Sequence, residues 1–197
     1  IQSWLDRLSV MVGEDLDLDV PGVFQVALDV DAGVAEVAQR LARGPGMRLG
    51  HLVQREPLAD VDMHCLVPKG LIAPSKVPRH GMPIEALAEL PVVALDVKDP
   101  LGMRINQACS EHGVGLSPVV TVQTYHAALS MAEYGLGVAL VDGCTASAAD
   151  RRKVHVLPLL PQITVTVSAL HLAQHPRSVL ARAMTQEMRK ALRELIG

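Results

Sequence analysis

Apolar and polar positions alternate in two periods along the chain. Ile1, Trp4, Leu5, Leu8 and Met11 recur at helical spacing, which predicts a helix over 1–12. The acidic tract 13–22 ends in Pro-Gly and predicts a loop. Residues 23–30 predict a strand, Asp31-Ala32-Gly33 a turn, and 34–43 a helix stopped by Gly44-Pro45-Gly46. Two short strands are expected at 47–54 and 61–67, then a Pro- and Gly-rich connection over 68–83.

The second half is more regular. A short helix is expected at 84–89, a strand at 91–97, a helix at 101–112 ended by Gly113, and a strand at 119–122. A helix over 125–134 closes on Gly135, and the apolar run 138–142 predicts a buried strand. Strands at 154–157 and 163–172 lead to an amphipathic helix over 178–196. Its stripe is Val179, Leu180, Met184, Met188, Leu192 and Leu195. Strands alternating with helices predict an α/β fold with mostly parallel sheets. The long strands near 61–67 and 163–172 are candidates for hinges that pass between two subdomains.

Composition narrows the function. Nearly half of the 197 residues are apolar but only 2% are aromatic, so the core is built from aliphatic side chains. A net charge of -3 without a dense Lys/Arg run argues against direct DNA contact by this segment. Three cysteines, Cys65, Cys109 and Cys144, make no disulfide framework and fit a reducing cytoplasm. No apolar stretch reaches the ~18 residues of a membrane span. The chain opens inside a predicted helix, as a fragment would.

Candidate chemistry clusters at strand-to-helix turns. Lys98 and Asp99 follow a strand and open a helix, whose unpaired N–H groups and positive dipole end suit a carboxylate. Lys98 adds a cation there, and Asp99 suits an amine. The plainer alternative is a capping Asp99 beside a solvated Lys98. Gln123, Thr124 and Tyr125 occupy the next such turn, with Thr124 as cap and Tyr125 as a pocket wall. Asp31 holds the turn after the first strand. The eight histidines show no ligand spacing, so no metal is expected. No nucleophile elbow or phosphate loop occurs, and neither a cofactor nor enzymatic activity is expected. Asp60 and Asp62 are expected in a loop, where solvation is the simpler account.

The stretch from Pro57 to Glu187 resembles the effector domain of LysR-type transcription regulators. The resemblance rests on Pro57-Leu58, on His64 to Gly70, on Ile84 to Leu87 and on Leu90 to Val93. Its most specific part runs from Tyr125 to Ser130 and from Glu133 to Asp142, a helix, a Gly-x-Gly turn and a buried strand. Val156-Leu157-Pro158 and Pro176-Arg177-Ser178 complete the series. Val141-Asp142, the loop Pro100 to Arg104 and Thr145-Ala146 look most like the branch sensing lysine and opines.

The resemblance implies two Rossmann-like subdomains joined by two crossing strands, the type 2 periplasmic-binding-protein-like fold. Subdomain I would comprise 1–66 and 167–197, and subdomain II 67–166, with the DNA-binding winged helix-turn-helix absent from this chain. It implies a cleft lined by the turns at Lys98, Asp99, Gln123, Thr124, Tyr125 and Asp31. A small amino-acid, opine or organic-acid effector would bind there. It also implies a cytoplasmic homodimer or homotetramer that reaches DNA only through the missing domain. Peroxide-sensing relatives carry a redox cysteine near Cys109, but the resolving position is Pro100, which argues against that mechanism. The alternatives are a solute-binding protein for transport, expected to follow a signal peptide, and a small α/β enzyme.

Overall fold

The computed structural model describes residues 25–29, 53–97, 100–172 and 177–196. Eight strands are joined in one sheet system: β1 (Gln25–Asp29), β2 (Val53–Pro68), β3 (Met82–Pro83), β4 (Val92–Leu95), β5 (Pro118–Val122), β6 (Val138–Asp142), β7 (Val154–Leu160) and β8 (Thr164–Leu172). The helices are α1 (Pro100–Glu111), α2 (Tyr125–Glu133), α3 (Gly143–Ser147) and α4 (Val179–Ile196). The helices predicted over 1–12 and 34–43 and the loop 13–22 lie outside the described residues.

The main path of the sheet runs β1-β8-β2-β6-β4-β5. Strands β4, β5 and β6 are parallel, and β2 runs antiparallel to β6, β7 and β8. Strand β2 changes partners along its length. Residues from Val53 to Asp62 pair with β8, whereas Met63 to Leu66 pair with β6 and His64 to Pro68 with β7. The change falls where the Met63 N–H donates to the Ile163 carbonyl at 2.8 Å.

Two sequence expectations are corrected here. The sheet is mixed rather than mostly parallel, since β2 and β8 pair antiparallel with all their neighbours. The end of the strand expected at 47–54 and the whole of that expected at 61–67 lie in a single strand, Val53–Pro68, and 47–52 lie outside the described residues. Pro57 does not break it, because the register shifts between Pro57 and Ala59 and the bulge absorbs the irregularity. Asp60 and Asp62 are therefore strand residues. Each accepts a hydrogen bond from β8: Thr166 Oγ1 to Asp60 Oδ1 at 2.6 Å, and Thr164 Oγ1 to Asp62 Oδ1 at 2.7 Å.

The core follows the aliphatic composition. Strand β6 is buried along its whole length, and Val92, Val93 and Leu95 of β4 are buried beside it. Met63, Cys65, Leu66 and Val67 extend the same core along β2. Gly137 brings the start of β6 against the residue before β4: a Cβ there would stand 2.5 Å from the Pro91 carbonyl oxygen. The closing helix is less buried than its stripe suggests. Met188 and Leu192 pack on the core, but Val179 and Leu180 are exposed.

Candidate ligand-binding site

The parallel strands lie in the order β6-β4-β5, so the chain moves from β4 to one neighbour through α1 and then to the other through α2. The strand order reverses at β4. In such sheets ligands bind outside the carboxyl ends of the strands at the reversal.

These ends are locked together. The Asp96 N–H, just past β4, donates to the Val122 carbonyl of β5 at 2.9 Å. The first turn of α1 presses on the same place, since a Cβ on Gly102 would stand 2.4 Å from the Asp96 carbonyl oxygen. Glycine is needed there because two backbones meet.

Gln123 and Thr124 are exposed at the turn between β5 and α2, and Tyr125 is half-buried against the core. Thr124 is extended and caps α2: its Oγ1 accepts from the Ala127 N–H at 3.2 Å. Acceptance of that bond leaves the hydroxyl proton available for a ligand acceptor. Capping and ligand contact are therefore compatible in one side chain. Lys98, Asp99 and Asp31 lie outside the described residues. Gln123, Thr124 and Tyr125 are consecutive at one helix start beside the beginning of α1.

The third strand end has a structural role of its own. Asp142 is buried and caps α3, a helix absent from the sequence expectation. Its Oδ1 accepts from the Thr145 N–H at 2.9 Å, and its Oδ2 from Thr145 Oγ1 at 2.6 Å. The Asp-x-x-Thr spacing carried this signal. Asp142 and Thr145 thus serve each other rather than an open surface.

Cys65 and Cys109 are buried thiols, and Cys144 is half-buried. Burial pushes the Cys65 and Cys109 thiols up, and burial beside Asp142 pushes Cys144 up to about 11. Little thiolate forms near neutral pH, which makes all three slow nucleophiles. Among the described residues no group of three His, Cys, Asp or Glu side chains is placed to hold a metal ion.

The family profile for the LysR substrate binding domain matches residues 20–193. The chain belongs to this family. Solved structures show the same fold. The LysR-type domain superposes on the regulatory domain of CcmR from Synechocystis PCC6803, solved in complex with 2-PG, at a TM-score of 0.64 and 13% identity; the match covers 81% of this chain and 78% of CcmR's. HinK, a LysR family transcriptional regulator from Pseudomonas aeruginosa, gives a TM-score of 0.62 at 19% identity, covering 80% of this chain and 57% of HinK. Full-length CbnR, solved in complex with its target DNA, gives 0.58 at 12% identity, covering 84% and 50%. The chain thus spans about half the length of the longer regulators. No curated protein matches the sequence. The fold is the type 2 periplasmic-binding-protein-like fold of LysR effector-binding domains, as the sequence resemblance implied.

Proposed function

We propose that this domain senses a small amino-acid-like or carboxylate metabolite in the cleft at the carboxyl ends of β4 and β5, and that it acts by binding without catalysis. The observation that carries this reading is the juxtaposition of two helix starts, α1 and α2, on strands tied together by the Asp96–Val122 hydrogen bond. Helix starts favour a carboxylate. Lys98 supplies a cation, Thr124 a hydroxyl donor, Asp99 a partner for an amine, and Gln123, Tyr125 and Asp31 complete the walls. CcmR's regulatory domain, of the same fold, was solved with 2-PG.

Subdomain I (1–66 and 167–197) and subdomain II (67–166) change their relative angle when the effector binds one arrangement better than the other. A cytoplasmic homodimer or homotetramer passes that change to a separate DNA-binding domain. Lysine, opines and related amino acids are the first effectors to test.

Calorimetric titration with basic amino acids and opine-like compounds tests the site. Lys98→Ala and Thr124→Ala weaken affinity, while each variant stays folded; loss of the Thr124 cap costs about 1 kcal/mol of stability. Unchanged affinity in both variants moves the site elsewhere.

A further inference from the structure

A cavity of about 220 Å³ is lined by none of Gln123, Thr124 and Tyr125. Its walls come from three parts of the chain: Asp60, Asp62 and His64 of β2, residues of α3 with the following Arg151 and Val156, and Leu195 and Ile196 at the end of α4.

The β2 wall presents acceptors. Thr166 and Thr164 each occupy Oδ1 of one aspartate and leave Oδ2 to other partners. His64 Nδ1 lies 3.1 Å from the Asp62 carbonyl oxygen. That contact requires the proton on Nδ1, which leaves the Nε2 lone pair as an acceptor in the neutral ring. Gly143 packs beside the ring: a Cβ there would meet His64 Cε1 at an ordinary 3.6 Å but crowd Val61 Cγ1 at 3.1 Å. The opposite walls are apolar at Ala146, Val156, Leu195 and Ile196, with the exposed Arg151 cation among them.

Two carboxylates on alternate residues of a strand stand roughly 6–7 Å apart on one face. Together with the aliphatic side chains of Val156, Leu195 and Ile196 on the facing walls, they match a donor-rich cation on an aliphatic stem. We infer that this cavity binds a ligand carrying an ammonium group on a short aliphatic chain, with Asp60 and Asp62 as its counter-charges. Two sources share this chemistry. An α,ω-diamine places one ammonium near each carboxylate. A basic amino acid does the same and adds a carboxylate that Arg151 neutralises. The inference does not depend on the cleft at the helix starts. Because α4 and β2 both line the cavity, an occupant ties the closing helix to the crossing strand.

The test is calorimetric titration of the 197-residue chain with 1,4-diaminobutane and with L-lysine. His64 ring resonances are followed by NMR in parallel. Saturable binding that perturbs His64 is expected. Asp60→Asn with Asp62→Asn weakens the ligand by about tenfold or more, as loss of charge-assisted contacts requires. Arg151→Gln, at an exposed turn, weakens lysine but not the diamine if the amino acid is the better fit, and neither if the diamine is. The His64 ring lines this cavity and not the turn at Gln123 to Tyr125, so its resonances report occupancy here separately from the cleft. The inference is overturned if neither compound binds saturably. It is also overturned if binding leaves His64 unperturbed, or if the His64 response survives the double substitution in a folded protein.

Discussion

Arg189 of α4 reaches across to Glu56 of β2. Its Nη2 lies 2.8 Å from Glu56 Oε1 and 3.2 Å from the Pro57 carbonyl oxygen. Arg177 holds the other carboxylate oxygen. One glutamate thus receives two guanidinium groups and fixes the closing helix at the start of the bulge.

This pairing makes stability depend on pH. The hydrogen bond from Arg189, followed by attraction to Arg177 against the cost of burial, holds the Glu56 carboxyl below its ordinary value of 4.5. A depressed carboxyl stabilises the fold above its unfolded value, and the contribution is lost as pH falls through the folded value. Arg189→Ala is expected to cost about 1 kcal/mol at neutral pH, a modest figure because the pair keeps part of its surface in water. The difference from wild type shrinks as pH falls below 4.5. Urea denaturation across that range measures it, and an unchanged difference at low pH assigns the loss to packing.

Gly137→Ala is expected to destabilise by about 2 kcal/mol, the cost of forcing backbone apart in a packed core. The new Cβ would meet the Pro91 carbonyl oxygen at 2.5 Å, and the neighbouring Val138 N–H already bonds that oxygen at 2.7 Å. A fall in the urea midpoint reports it. An unchanged midpoint shows that the Pro91 loop yields freely.

Ser168 of β8 is fully buried, and its hydroxyl has no hydrogen-bond partner among the described residues. An unpaired buried hydroxyl costs free energy that an apolar atom does not. Ser168→Ala is expected to stabilise the domain by about 1 kcal/mol. A lower melting temperature in the variant points to a partner for the hydroxyl.

Much of this fold was legible in the chain, and the exceptions have physical causes. The run Val138 to Asp142 between a Gly-x-Gly turn and a polar stretch gave both bounds of β6, because a strand buried on both faces needs no alternation. Thr124 was recognisable as a cap from its place before an apolar helix. By contrast, β2 looked broken at Pro57, and its acidic positions looked like loop. The hydroxyls that accommodate them lie about a hundred residues downstream, beyond the reach of any local pattern. Helix α3 is only five residues long, too short to show a period. Half of the expected ligand wall, at Lys98, Asp99 and Asp31, lies outside the described residues.

The exchange of partners along β2 has a mechanical consequence. On one side of the Asp62–Met63 peptide the strand is bonded to β8, and on the other to β6 and β7. The return strand crosses at the same level, at Ile163–Thr164. Neither ladder shears without losing hydrogen bonds. Any twist of one ladder against the other would therefore fall on a few backbone torsions in each strand, which would make the pair a short torsion bar.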